Sequence, residues 1–168
     1  SLSRQGDDAA AEQALAGIGE KSGLSRMAAI ERREVLERAG DNEGALSLGK
    51  SLADALQATV SDVRAYGDLL ADAGRYDDAA VAYGRAIAMA GDQAGWALYL
   101  QRGGALEQAG QWSEALPLLN KAVALAPDEP IALNYLAYAK VERGEDLSDA
   151  QAMLERALKL KPNDPSII

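Results

Sequence analysis

Two short stretches, Gly74-Arg-Tyr-Asp-Asp-Ala79 and Gly110-Gln-Trp-Ser-Glu-Ala115, decide how this chain folds. Each begins with glycine, has an aromatic residue at its third position and carries acidic residues just before its final alanine. Related stretches are Gly144-Glu-Asp-Leu-Ser-Asp-Ala150, Gly40-Asp-Asn-Glu-Gly-Ala45 and Gly6-Asp-Asp-Ala-Ala-Ala11. The five final alanines are separated by 34, 34, 36 and 35 residues. This recurrence indicates a repeat protein in which each unit is one supersecondary motif.

Between these stretches the composition favours helix. Long segments are rich in Ala, Leu, Glu, Arg and Gln, there is no phenylalanine, and four of the five prolines lie at predicted turns. Gly74, Gly110 and Gly144 can each end a helix in the left-handed conformation. The acidic residues that follow suit the start of the next helix, where the helix dipole favours negative charge. Each unit is therefore predicted to be helix–turn–helix, and the chain to be all-α.

The pattern predicts four helix pairs. The predicted first helices are residues 26–39, 60–73, 95–109 and 130–143, and the predicted second helices are residues 42–57, 76–90, 112–126 and 147–160. A further helix near residues 7–20 would be the second helix of a unit whose first helix is missing.

Small and large residues recur at matching positions of the pairs. Small residues that would allow close helix approach are Gly67, Gly103 and Ala137 in first helices, and Ala79, Ala115 and Ala150 in second helices. Bulky residues that would fill the space between pairs are Tyr83, Leu119 and Leu154. The first pair departs from this pattern, because Arg32 and Arg33 stand where a large apolar residue and then a small one are expected.

These positions resemble the tetratricopeptide repeat family over essentially the whole chain, most closely in the last three units. The resemblance implies a right-handed α-solenoid of antiparallel helix pairs, as well as a bacterial source, with the compartment open between cytoplasm and periplasm. The implied organisation is an N-terminal helix left from a truncated repeat (1–25), a degenerate repeat (26–59), three further repeats (60–95, 96–129 and 130–164) and the start of a missing repeat (165–168).

Composition argues against several function classes. The chain has neither cysteine nor histidine, which removes thiolate nucleophiles, the commonest general base and the commonest transition-metal ligands. Gly17-Ile-Gly19 has no preceding strand, and no third glycine or lysine follows at the spacing of a nucleotide loop. The Asp77/Asp78 pair falls at a helix start. We therefore expect a non-enzymatic protein with no catalytic, metal or cofactor site.

The net charge of −9 disfavours nucleic acid as a partner. No stretch approaches 18 uncharged apolar residues, so we expect no membrane insertion by this segment. The expected partner is instead a protein or peptide.

By resemblance, the first helices line a concave groove that holds a partner peptide or helix. The groove positions in this chain are Arg64, Asp68, Leu100, Gln101, Gln108, Ile131, Asn134, Tyr135 and Tyr138. Leu100, Ile131 and Tyr138 form an apolar patch among them. Some relatives clamp the acidic C-terminus of heat-shock chaperones with several basic groove residues, and this chain has only Arg64 well placed, so we reject that specialisation.

Two other functions fit the same sequence: a self-association module, and a non-catalytic domain of a larger enzyme. The repeat phase predicts that the chain is cut from a longer array at both ends. Met153, Leu160, Ile167 and Ile168 would then face a missing neighbour, which predicts a weak homodimer through the C-terminal end.

Overall fold

The structure is a computed structural model that describes Ala10 and residues 23–161. Within these residues the chain contains eight α-helices, one short 3-10 turn at Gly91–Gln93, and no β-strand. The helices are α1 (Gly23–Ala39), α2 (Asn42–Asp54), α3 (Val60–Asp72), α4 (Tyr76–Ala90), α5 (Trp96–Gln108), α6 (Trp112–Leu125), α7 (Pro130–Arg143) and α8 (Leu147–Leu160). The predicted all-α class is confirmed.

The helix bounds agree with the predicted ones to within three residues. The largest differences are at the two ends of the first pair: α1 starts at Gly23, and α2 ends at Asp54 instead of residue 57. The extension of α2 was predicted wrongly because Ala55 is already extended, with φ −67° and ψ 150°. Thr59 then begins α3 with a capping box in which its side chain and that of Asp62 bond each other's backbone amides. The helix predicted near residues 7–20 lies outside the described residues except for Ala10.

One turn geometry ends the first helix of every pair. Gly40, Gly74, Gly110 and Gly144 have φ of 80°, 73°, 79° and 65°, as the sequence predicted for the last three. The N–H of the residue after Gly74 donates to the Leu70 carbonyl at 2.8 Å, and the Gly74 N–H donates to the Ala71 carbonyl at 2.9 Å. This is the Schellman arrangement, which satisfies two carbonyls left open at the helix end.

The turn before α8 is one residue longer than the others, because the stretch from Gly144 to Ala150 has seven residues instead of six. In this longer turn Asp146 has a left-handed conformation with φ 44°, which aspartate tolerates better than most residues. The helix α8 follows directly at Leu147.

The described helices belong to two compact units, which divide between Met89 and Ala90. In the first unit the core is built from Val63 and Leu70 of α3 and the small side chains of Ala45, Ala79 and Ala86, all buried. The ring of Tyr83 in α4 lies against Gly67 of α3, where a Cβ would be 2.7 Å from the ring edge. Gly67 is therefore at a close helix contact, as predicted, but Tyr83, predicted to fill the space between pairs, packs within its own pair.

In the second unit, Leu119 of α6 lies against Gly103 of α5, and Ala115 and Ala150 are completely buried. Leu133 of α7 and Ala157 of α8 form a buried cluster with Val123 and Met153 packed against it. Met153, which was predicted to face a missing neighbour, is half-buried and packs against this cluster. Leu160 is 41% exposed, while Ile167 and Ile168 lie outside the described residues.

None of the helices in the described part of the chain is long and apolar enough to cross a membrane.

Candidate partner-binding surface on the second unit

The nine predicted groove residues are divided between the two units. Arg64 and Asp68 lie on α3 in the first unit. The other seven lie in the second unit, on α5 (Leu100, Gln101, Gln108) and α7 (Ile131, Asn134, Tyr135, Tyr138). We call these seven residues the α5–α7 surface.

The spacing of the seven residues puts each group on one helix face. Asn134, Tyr135 and Tyr138 follow Ile131 by three, four and seven residues, the spacing of residues on one face of an α-helix. The helices α5 and α7 contact each other directly. At this contact a Cβ built on Gly104 would lie 3.0 Å from the Tyr135 hydroxyl oxygen, so Gly104 makes room for the phenol of Tyr135.

Exposure differs across the α5–α7 surface. Ile131 is 56% exposed and Gln108 is exposed. The other five, Leu100, Gln101, Asn134, Tyr135 and Tyr138, are half-buried. The surface therefore presents aliphatic, aromatic and amide groups and no ionised side chain of its own.

Beneath this surface lies the carboxylate of Glu107, near the end of α5. Its Oε1 accepts a hydrogen bond from the Arg143 guanidinium at 2.7 Å. Its Oε2 accepts from the Tyr135 hydroxyl at 3.1 Å and from the Gln108 amide at 2.7 Å. The Glu107 side chain is only 9% exposed.

Arg143 is held by further contacts. Its guanidinium carbon lies 4.3 Å from the centre of the Trp112 ring, a cation–π distance, and it donates to the Ala139 carbonyl at 3.0 Å. The Trp112 indole N–H donates to Glu145 at 2.9 Å. The Glu107–Arg143 pair thus connects α5 to α7, and the Trp112–Glu145 bond connects α6 to the turn before α8.

These contacts act on two pKa values. Burial acts to raise the pKa of Glu107, but the hydrogen bonds from Arg143, Gln108 and Tyr135 outweigh it and leave the pKa below its usual range. Burial, with the negative charge of Glu107 beside it, raises the pKa of Tyr135 to about 12. At neutral pH the cluster therefore holds an ionised Glu107 and a protonated Tyr135.

The groove residues of the first unit have a different character. The Tyr83 hydroxyl donates to Asp68 at 2.7 Å, and burial together with this bond raises the pKa of Tyr83. Arg64, one turn before Asp68, is exposed. Asp68 therefore holds the core ring of its own helix pair in place.

The sequence pattern did not predict the contacts that Glu107, Arg143, Trp112 and Glu145 make with one another. A signal was present, because Glu107 and Arg143 are 36 residues apart, close to one repeat period, and have opposite charge. Periodic spacing alone did not specify that two long side chains would meet.

Over residues 23–161 no three carboxylate side chains are grouped closely enough to hold a metal ion.

This chain is similar to known proteins in part of its sequence and in its fold. The tetratricopeptide repeat family matches residues 106–167. A search of curated proteins found no match.

Solved structures share the fold at low sequence identity. The crystal structure of MamA is 16% identical, with a TM-score of 0.78 over 94% of this chain and 90% of that chain. MamA from residue 41 to its end, from Desulfovibrio magneticus RS-1, is 22% identical, with a TM-score of 0.74 over 90% and 81%. YrrB, described as a TPR protein with an unusual peptide-binding site, is 16% identical, with a TM-score of 0.71 over 84% and 72%. The chain therefore matches the tetratricopeptide repeat family over residues 106–167 and has the tetratricopeptide repeat fold over most of its length.

Proposed function

We propose that this protein is a non-catalytic interaction module that binds a partner peptide or helix along the α5–α7 surface. The tetratricopeptide repeat fold supports a protein partner in general. The described peptide-binding site of YrrB, which has the same fold, supports a peptide as the ligand class.

The observation that carries the proposal is the presence of three apolar or aromatic side chains on this surface that are not fully buried. Ile131 is more than half exposed, with the half-buried Tyr138 two turns along the same helix and the half-buried Leu100 on α5. Side chains of this kind, rimmed by amides, are typical of the desolvated centre of a protein interface.

The charges near the surface narrow the partner's chemistry. Glu107 and Arg143 neutralise each other at 2.7 Å, and Lys140 of α7 is buried and bonded to Asp149. A partner that lies here meets apolar and amide groups rather than a charged patch. We therefore expect an uncharged segment with a large apolar anchor, whose affinity depends little on salt, since screening acts mainly on exposed charges.

The test uses peptides selected from a random display library on the wild-type chain. Leu100→Ala and Tyr138→Ala should each weaken peptide binding by about tenfold, roughly 1.4 kcal/mol, with helicity and melting temperature nearly unchanged. Val81→Ala on α4 is the matched control, because Val81 is 66% exposed and lies outside the surface. Wild-type affinity in both variants, or an equal loss in the control, would reject the surface.

A further inference from the structure

We propose that Glu107 is a positioning residue for the α5–α7 surface: it holds the side chains of Tyr135 and Gln108 in their binding orientation without itself contacting the partner. The inference rests on the proposed function of that surface.

The geometry gives one carboxylate control of two surface residues. A single oxygen, Oε2, accepts both the Tyr135 hydroxyl at 3.1 Å and the Gln108 amide at 2.7 Å. Tyr135 comes from α7 and Gln108 from α5, so the same atom orients one residue on each side of the surface. At 9% exposure, Glu107 is too buried to be a main contact for a partner.

The carboxylate can do this because its other oxygen is fixed. Oε1 accepts from Arg143, which is 25% exposed and stacked on Trp112. Charge-assisted bonds of this kind are shorter and stronger than neutral ones. A carboxylate held on one oxygen loses most of its rotational freedom, so Oε2 points steadily toward Tyr135 and Gln108.

Gly104 completes the arrangement from the other side. The place where its side chain would begin lies 3.0 Å from the Tyr135 hydroxyl oxygen and 3.3 Å from the adjacent ring carbon. The phenol is therefore confined between the backbone of α5 and the Glu107 carboxylate. Burial, together with the negative charge of Glu107, raises the pKa of the Tyr135 hydroxyl to about 12, so we expect a raised tyrosine pKa in solution.

A purely structural role is the competing explanation, since Glu107–Arg143 also connects two helix pairs. The two roles differ in a double-mutant cycle. A cross-link contributes to stability alone, whereas a positioning residue is coupled to Tyr135 in peptide affinity.

The experiment compares Glu107→Gln, Tyr135→Phe and the double variant in the whole chain, using the library-selected peptides. Both substitutions keep side-chain shape. Tyr135→Phe removes the bond between the two residues, and Glu107→Gln removes the carboxylate charge and leaves one acceptor oxygen for three donors. We expect each to weaken peptide binding about three- to tenfold, as for loss of one hydrogen bond, and the double variant to weaken it no further. In a spectrophotometric titration, the transition that Tyr135→Phe removes is that of Tyr135. It should lie near pH 12 in the wild type and at lower pH in Glu107→Gln.

Asp128→Asn is the matched control, because Asp128 bonds Arg156 at 2.6 Å in the same unit but is exposed. It should leave both affinity and tyrosine titration unchanged. Tyr135→Phe keeps the test valid if Glu107→Gln lowers stability, because it leaves the Glu107–Arg143 pair intact.

The outcomes separate this inference from the function on which it rests. If Leu100→Ala and Tyr138→Ala abolish binding while Glu107→Gln and Tyr135→Phe bind normally, Glu107 is a structural cross-link and the inference is overturned. If no α5–α7 variant alters binding, the proposed function itself fails. Additive losses in the double variant would likewise reject positioning.

Discussion

In the third helix pair, Gly103 of α5 faces Leu119 of α6, whereas the equivalent positions of the first pair carry Arg33 and Gly49. In the first pair the small residue is therefore on the second helix and the long side chain is on the first helix, the reverse of the third pair. Arg33 is only 12% exposed, and its Cδ lies 3.8 Å from where a Gly49 side chain would begin. The first pair keeps one large and one small residue at this contact, with their places exchanged.

The exchange changes what surrounds the glycine. A Cβ on Gly103 would lie 2.7 Å from Leu119 Cδ2, 2.9 Å from its Cγ and 3.3 Å from its backbone nitrogen. A Cβ on Gly49 would lie 2.6 Å from Leu69 Cδ1, the far end of a side chain on α3, with the next atoms at 3.7 Å or more. A sequence that departs from the repeat pattern can therefore keep close packing, but the contact becomes more tolerant of change.

The largest effect expected from this comparison is at Gly103. Gly103→Ala should lower the free energy of unfolding by about 1–3 kcal/mol, because both the branch point and the backbone of α6 would have to move. Gly49→Ala should change it by less than about 1 kcal/mol, since Leu69 can shift its end and alanine favours the helix. The urea midpoint of each variant, at an unchanged slope of the unfolding curve, measures its change in stability. Equal losses of stability in the two variants would show that the two contacts do not differ.

Arg33→Ala should have an intermediate effect, a loss of about 1 kcal/mol, because the buried stem of Arg33 fills the space that Tyr83 and Leu119 fill in later pairs. Lys50→Ala is the control on the neighbouring helix, with a side chain that is 63% exposed. The same urea titration applies. A loss no greater than in the control would mean that Arg33 does not fill this space.

The smallest change in the free energy of unfolding is expected when only the ion pair between Arg33 and Glu37 is removed. Arg33 Nε lies 2.9 Å from Glu37, whose side chain is 40% exposed. Glu37→Gln should cost less than about 0.5 kcal/mol, since exposed ion pairs contribute little. A loss as large as that of Arg33→Ala would show that Arg33 acts through its charge rather than its stem.

Much of the fold was predictable because its causes are local. Residues within one or two turns of each other determine three features: the left-handed glycines, the buried alanines and the helix starts at Tyr76, Trp112 and Pro130. The error at the end of α2 is also local in origin: the extended Ala55 and the capping box at Thr59 outweigh the helical composition of residues 55–57.

The candidate site was predictable only in its outline. The family resemblance placed Tyr135 and Tyr138 among the groove residues of a first helix, and both residues lie on α7. The bond from Tyr135 to Glu107 spans 28 residues and joins two different helix pairs, so no spacing rule could specify it. Whether those seven residues bind a partner stays a prediction.

By itself, the sequence determined the helix–turn–helix repeat, its period and its close-packed positions, because backbone hydrogen bonds and helix ends depend on neighbouring residues. Only the tertiary structure decided that Arg33 packs against Gly49 and that Glu107 accepts hydrogen bonds from both Arg143 and Tyr135. Those contacts depend on how the helices cross and on the rotamers that long side chains adopt there, which residues distant in the chain set together.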